Sequence, residues 1–111
     1  MVDYATRMER RTEERVRTLN LLNLFHRSEL YPGRTLDLSP HGAQVELSAP
    51  LPTRTHPPVS LQLCLRDRIV GVHGRVVWAR RRADGHWLHG VHFDEDQAHF
   101  TRAVEEHLER A

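Results

Sequence analysis

The chain has 111 residues, of which 39% are hydrophobic and 28% charged, and its formal net charge is +1. This size and composition are typical of one globular domain, and they exclude a disordered chain or a two-domain protein. The near-neutral charge disfavours binding to nucleic-acid polymers, which requires a basic surface. The single cysteine, Cys64, excludes an internal disulfide, and no stretch approaches the ~20 apolar residues of a membrane span. With no apolar leader either, we expect a cytoplasmic protein.

The N-terminal segment is densely charged. Residues 3–17 carry eight arginines and glutamates between Arg7 and Arg17 and have no apolar face, so they cannot pack as a core helix. We predict a flexible arginine-rich arm over residues 1–15 and one barrel domain over residues 16–111. All basic residues are arginine, which fits a coding bias, so an arginine is informative here only through its spacing.

The first apolar stretch predicts two strands. Residues 16–25 are apolar and mixed, and the doubled Leu21–Leu22 predicts a bulge or a change of face in this strand. Tyr31–Pro32–Gly33 is typical of a turn. A short second strand over residues 34–38 is expected to follow it.

Alternating residues predict four further strands. Ser39–Gly42 forms a tight connection, and a proline-rich loop covers residues 49–58. Asp84–Gly85 is a strong hairpin signal, because both residues tolerate positive φ. The predicted strands cover residues 43–47, 59–65, 69–80 and 86–93.

The C-terminal segment has a helical period. Asp94 is a suitable N-cap with Gln97 three residues later, and Phe100, Val104 and Leu108 recur every four residues. We therefore predict a helix over about residues 95–110. We therefore predict a mainly β fold, a six-stranded antiparallel β-barrel, and expect the helix to cover one open end.

An arginine pair in the arm is the first candidate site. Arg11 and Arg15 are four residues apart, and Arg10 precedes them. Arginines at this spacing are common on solvated helices, and Glu13 and Glu14 can neutralise them. By themselves these arginines are therefore assigned to a solvated surface.

A short polar motif between two strands is the second candidate site. Asp37 and Ser39 lie on one strand face, and Gly42 follows at a point where the backbone must turn sharply. An Asp-x-Ser sequence is also an ordinary turn former, because both side chains bond to nearby backbone amides.

Together, and in this strand order, the two motifs resemble those of the PilZ domain, a bacterial receptor module for cyclic di-GMP. The family is marked by Arg-x-x-x-Arg before the first strand and by Asp-or-Asn-x-Ser-x-x-Gly between the second and third strands. The matching residues in this sequence are Arg11, Arg15, Asp37, Ser39 and Gly42, with further similarity at residues 75–78 and 90–93. The resemblance extends from about residue 10 to the C-terminus and implies a split β-barrel.

The resemblance implies roles for these residues. Arg11 and Arg15 would bind phosphate and guanine, with Arg10 as an additional contact, because guanidinium groups suit both. Asp37 and Ser39 would contact guanine or its neighbours. Gly42 would permit close approach of the backbone.

Two further residues have alternative roles. His41 stands where the family usually has a small residue, so its imidazole would either crowd the ligand or add a bond. Trp78 would either stack against a base or fill the core, and the core assignment is favoured.

The resemblance implies a receptor or adaptor that transmits the second-messenger signal when ligand orders the arm. Its output would pass to an unidentified downstream protein or through a homodimer, and no cofactor is expected. The alternative is a PilZ-like protein-interaction module that does not bind the nucleotide. A small nucleic-acid-binding barrel is a third interpretation, which the charge disfavours.

The remaining polar residues do not predict an enzyme. His86, His89 and His92 are three apart, so His89 faces away from the other two on a strand, and we interpret the histidines as scattered on the surface without a metal. Cys64 is interpreted as an inert thiol. No nucleophile elbow or phosphate-binding glycine-rich loop occurs.

Overall fold

The computed structural model describes residues 19–66, 68–95 and 97–110, so the predicted arm of residues 1–15 lies outside the described residues. Six strands and one helix follow in chain order, and none of the helices in these ranges is long and apolar enough to cross a membrane. The elements are β1 (Leu21–His26), β2 (Glu29–Ser39), β3 (Gly42–Leu47), β4 (Pro58–Leu65), β5 (Arg68–Arg81), β6 (Trp87–Phe93) and α1 (Ala98–Arg110).

The strands form a closed antiparallel barrel in the order β1-β2-β3-β6-β5-β4. This confirms the predicted six-stranded barrel with a C-terminal helix. Alternate residues of each strand point inward, and removing their apolar surface from water stabilises the fold. The fully buried side chains include Leu24, Leu38, Val45, Leu61, Leu63, Val76 and Val91.

The predicted bulge in the first strand is wrong. β1 pairs with β2 in unbroken register, and its residues simply alternate, with Leu22 and Leu24 buried. Leu21 is instead on the outer surface, with 70% of its area exposed. The doubled leucine therefore reflects an exposed apolar residue, which sequence alone does not distinguish from a change of face.

The turn predicted at Tyr31–Gly33 is also wrong, because these residues lie within β2. The hairpin turn is at Arg27 and Ser28, whose φ angles of 52° and 68° are those of a tight hairpin turn. β2 pairs with β3 only from Gly33 onward, so Pro32 pairs with β1 alone. Its missing N–H therefore removes no hydrogen bond between β2 and β3. Gly33 allows close strand approach, since a Cβ there would lie 2.6 Å from Leu47 Cδ2.

Two bulges determine which residues face outward near the candidate site. The β2–β3 register shifts between Thr35 and Asp37, and the β5–β6 register shifts between Val76 and Trp78. An extra residue in one strand reverses the faces of the residues after it. Val76 is therefore buried whereas Trp78 is 37% exposed, so the favoured assignment of Trp78 to the core is wrong.

The C-terminal helix packs on the barrel through its predicted apolar face. Phe100 and Val104 are buried in the core, and Phe100 meets Phe93 edge to face with ring centroids 4.9 Å apart. The helix begins later than predicted, however. Its first hydrogen bond runs from the Thr101 amide to the Gln97 carbonyl, so Gln97 and not Asp94 is the capping residue.

Candidate functional site

Four outward-facing residues form a continuous row across four adjacent strands. Asp37 on β2 pairs with Gln44 on β3, which pairs with Gly90 on β6, which pairs with Trp78 on β5. Residues directly opposite one another in a sheet have neighbouring side chains. The row therefore joins the carboxylate of Asp37 to the indole of Trp78 across the outer surface of the barrel.

Asp37 anchors the β2 end of this row. Its Oδ1 accepts a hydrogen bond from the Gln44 amide at 3.0 Å. The bulge beside Asp37 interrupts regular pairing, and the carboxylate takes the place of a backbone acceptor. Asp37 is half-buried, so its position is held by the sheet.

Ser39 organises the corner between β2 and β3. Its buried hydroxyl accepts hydrogen bonds from the amides of His41 and Gly42, both at 3.2 Å, and donates to the Gly42 carbonyl at 3.3 Å. Ser39 thus builds the turn in the way that serine does at turns generally. His41 lines a different surface pocket of about 440 Å³, together with Pro40 and His92.

Trp78 lies over a strand position that has no side chain. A Cβ on Gly90 would lie 2.7 Å from Cδ1 of the indole and still closer to Nε1. Only glycine leaves space for the ring to lie against the β6 backbone at this position. The guanidinium carbon of Arg80 is 5.8 Å from the ring centroid, within the range of a cation–π contact.

A surface pocket of about 650 Å³ lies beside the row, within the size range of small-molecule sites. Its lining combines one carboxylate, one amide, two leucines and three consecutive arginines. These residues are Leu36, Asp37, Gln44, Arg80, Arg81, Arg82, Ala83 and Leu88.

A buried carboxylate next to the pocket holds two arginines. Glu46 is 6% exposed, and its two oxygens bind Arg34 Nε at 2.8 Å and Arg82 Nη1 at 2.7 Å. Asp84 binds Arg82 Nε at 3.5 Å, and the pKa of Asp84 is lowered, chiefly because the His86 amide donates to its carboxylate. Although ligand atoms of Glu46, Asp84 and His86 lie within 4.8 Å of one another, both carboxylates already bind Arg82.

The prediction that the histidines lie on the surface is wrong for His89. His89 faces away from His92, as its position in the strand predicts, but it is completely buried. Its Nε2 accepts a hydrogen bond from the Leu51 amide at 3.0 Å, which requires the neutral ring with the proton on Nδ1. Burial lowers the pKa of His89 because it disfavours the charged imidazolium.

The described chain enters the barrel at a hydrogen-bonded junction around Asn20. Its amide donates to Thr35 Oγ1 at 3.0 Å, and the Thr35 amide donates back to the Asn20 carbonyl at 2.8 Å. The Asn20 side chain donates to the Cys64 carbonyl at 3.0 Å and contacts His107 Nε2 of α1 at 3.4 Å. One residue therefore connects β2, the end of β4 and the C-terminal helix.

The predicted site residues divide into three groups. Asp37 and Trp78 lie in one row, whereas Ser39, His41 and Gly42 form the corner next to it. Arg10, Arg11 and Arg15 lie outside the described residues.

The sequence matches the PilZ domain family over residues 9–110, which is nearly the whole chain. The chain belongs to the PilZ domain family, a family of cyclic di-GMP receptors. No curated protein matches the sequence.

Two solved structures share the fold. A Bacillus subtilis inhibitor of motility, MotI/DgrA, is similar with a TM-score of 0.71 and 13% identity, over 86% of this chain and 48% of the other. This chain therefore spans about half the length of that inhibitor. The PilZ domain of CeSA from a cellulose-synthesizing bacterium is similar with a TM-score of 0.63 and 22% identity, over 82% of this chain and 90% of the other.

Sequence reasoning missed several residues that the structure brings to the site. Gln44 and Gly90 are cross-strand neighbours of predicted residues, and only the register identifies them. Three consecutive arginines, Arg80, Arg81 and Arg82, also line the pocket, although a coding bias towards arginine makes such a run uninformative in the sequence alone. The signal available for them was their position next to the Asp84–Gly85 hairpin, which keeps them at one end of a strand pair.

Proposed function

We propose that this domain is a cyclic di-GMP receptor whose ligand lies on the outer face of β2, β3, β6 and β5. The observation that carries the proposal is the row formed by Asp37, Gln44, Gly90 and Trp78, with the 650 Å³ pocket beside it. Membership of the PilZ family supports the choice of ligand.

The chemistry of the row suits a guanine nucleotide. The Asp37 carboxylate and the Gln44 amide can hydrogen-bond to the donors and acceptors of a guanine edge. The indole of Trp78 offers a flat apolar surface on which a base can stack, which is worth about 1–3 kcal/mol per base in nucleic-acid complexes. One face thus provides both a polar and a stacking contact for the same type of base.

The covalent geometry of the chain allows the arginine motif to reach this row. Asn20 is hydrogen-bonded to Thr35, which is two residues from Asp37 on β2. Arg15 is five positions before Asn20 in the sequence, a span of at most ~18 Å when fully extended. We therefore propose that Arg11 and Arg15, with Arg10, bind phosphate or guanine of a ligand seated on the row.

Ligand binding would order the arm over the barrel and so change the surface available to another molecule. The output would pass to a downstream protein or to a second copy of the chain. On this proposal the domain acts by binding alone, in the cytoplasm, without a cofactor or a chemical step.

Calorimetric titration with cyclic di-GMP tests the proposal. Wild type should bind, whereas Arg15→Ala should bind at least about tenfold more weakly, because a charge-assisted hydrogen bond contributes about 1.5–3 kcal/mol. Arg102→Ala is the matched control, since Arg102 is exposed on α1 and lines no part of the pocket. GTP and cyclic GMP should bind more weakly than cyclic di-GMP. Equal affinities for Arg15→Ala and wild type would eliminate the role of that arginine.

A protein-interaction module that does not bind nucleotide is the second candidate, and one surface favours it. Leu21 on β1 is 70% exposed and Ile69 on β5 is 68% exposed. Ile69 pairs with Cys64 of β4, which is also exposed. Exposed apolar residues that cluster are typical of protein interfaces. No binding of wild type to cyclic di-GMP at high micromolar concentration would favour this function over the first.

A further inference from the structure

Three adjacent strands of the barrel share an outer surface without charged side chains. Its positions on β1, β4 and β5 are those that alternate with the buried residues of each strand. None of them is an aspartate, glutamate or arginine, although 28% of the chain is charged. We call this surface the β1-β4-β5 face. It consists of Leu21, Asn23, Phe25, Ser60, Gln62, Cys64, Ile69, Gly71 and His73.

The apolar side chains at one end of this face form a continuous ridge. Cys64 pairs with Ile69, and the β1–β4 register continues by one position to place Leu21 opposite Cys64. Side chains directly opposite one another in a sheet are neighbours. Leu21 and Ile69 are 70% and 68% exposed, so their removal from water would be favourable.

Charged residues border the ridge on both sides, and each is already paired. Arg34, next to the ridge on β2, binds Glu46 at 2.8 Å. Arg68, next to the ridge on β5, binds Glu106 at 2.9 Å. An apolar centre with a polar rim is the usual arrangement of a protein–protein interface.

Two properties of the face favour a second copy of the chain as its occupant. In a two-fold contact the same patch lies on both sides, so any charge would meet its own kind, and this face has none. The ridge is also symmetric about Cys64. With the two-fold axis over Cys64, along or across the strands, Leu21 and Ile69 meet a leucine or isoleucine of the other copy. We propose that two copies of the chain associate through the β1-β4-β5 face, with the two Cys64 residues at the axis.

The closed barrel determines the kind of contact and its strength. Each of the six described strands pairs on both sides, so a second copy cannot add a strand and must pack face to face. A barrel surface is convex, which confines the contact to the middle strands. The nine residues of the face are well below the ~20–30 per partner of a standard interface. The dimer is therefore weak and forms at high protein concentration.

Sedimentation of the full chain from low micromolar to millimolar concentration tests the proposal. The mass of wild type should rise from 13.0 kDa towards twice that value. Ile69→Glu should raise the Kd of the dimer at least about tenfold, because it brings like charges into the contact. Val77→Glu is the matched control and should dimerise as wild type does, since Val77 is an exposed apolar residue of β5 outside the face.

Cross-linking through Cys64, the one cysteine of the chain, tests the position of the axis. Facing sheets pack ~10 Å apart, whereas a disulfide needs Cα atoms within ~7 Å of each other. A short bis-maleimide should therefore link two Cys64 thiols of wild type. The control Cys64→Ser/Arg102→Cys moves the thiol to the exposed surface of α1 and should give far less of the linked dimer.

Three results would overturn the proposal. They are a wild type that stays at 13.0 kDa throughout, an Ile69→Glu variant that dimerises like Val77→Glu, and equal cross-linking from the two thiol positions. In the first case the face belongs to a different partner or to none. None of these results bears on the proposed binding of cyclic di-GMP, because the row of Asp37, Gln44, Gly90 and Trp78 lies outside the β1-β4-β5 face.

Discussion

The indole of Trp78 lies directly against the backbone of Gly90 on the neighbouring strand, and this contact is possible only because Gly90 has no side chain. We expect Gly90→Ala to displace the ring, since the new Cβ would overlap the indole. The fold should persist, because Trp78 is partly exposed and its ring can rotate outward. The fluorescence of Trp78 should shift in a Trp87→Phe background, and cyclic di-GMP should bind more weakly.

Gly71→Ala is the matched control for this substitution. Gly71 is a strand glycine of β5 whose surface is exposed, and a Cβ there would meet only the Leu61 carbonyl oxygen at 3.9 Å. It should leave both fluorescence and affinity unchanged. An unchanged Trp78 spectrum in Gly90→Ala would contradict the packing described above.

Asp37 should have a structural role that is separable from its charge. Its Oδ1 accepts the Gln44 amide, and asparagine offers an oxygen at the same position. Asp37→Ala should lower the free energy of unfolding by about 1–3 kcal/mol, because a partly buried amide loses its acceptor. Asp37→Asn should retain most of that stability in urea denaturation. Equal losses for both variants would show that the charge, and not the acceptor, stabilises the corner.

Asn20 should couple the start of the barrel to the C-terminal helix. Asn20→Ala removes the donor to the Cys64 carbonyl and the contact with His107, so we expect a loss of about 1–3 kcal/mol. Amide hydrogen exchange in α1 should become faster, because the helix loses this contact with the barrel. Asn23→Ala, on the outer face of β1 just after Asn20, is the control and should leave exchange in α1 unchanged.

Acidification should destabilise the protein through His89. Its pKa in the folded state lies below the ordinary value of 6.5, so the unfolded chain binds the proton more tightly. The stability from neutral His89 is therefore fully present above pH 6.5 and is lost as the pH falls through the folded-state pKa. His89→Gln keeps an acceptor for the Leu51 amide without titrating, so its urea midpoint should fall less between pH 7.5 and 5.5.

His99→Gln is the control for this pH dependence, because His99 is exposed on α1. Its stability should follow the same pH dependence as wild type. The role assigned to His89 would be wrong if both histidine variants lost stability on acidification to the same extent as wild type.

Much of the barrel was predictable because its strands alternate locally. Val59 to Leu65 and Ala43 to Leu47 show the period of two that a half-buried strand requires, and both strands were found. The errors lie where local signals are ambiguous. Pro32 and Gly33 indicate a turn in most sequences. Here β2 continues through them, because its pairing with β3 begins only at Gly33 and Pro32 needs no N–H on that side.

The site was predictable only in its motif residues. Asp37, Ser39 and Gly42 were identified from their spacing, although Ser39 proves to be hydrogen-bonded within its own turn. Trp78 was assigned to the wrong face, because a bulge one residue earlier reverses the alternation and leaves no mark in the sequence.

The sequence by itself determined the strand periods, the helix period and the order of the binding motifs, because these depend on residues close together in the chain. Only the tertiary structure decided that Asp37, Gln44, Gly90 and Trp78 form one row, and that Arg80 and Arg81 stand at its far side. The physical reason is that β-sheet register pairs residues that are distant in sequence. Each bulge changes that register, and with it the side of the barrel on which every later side chain lies.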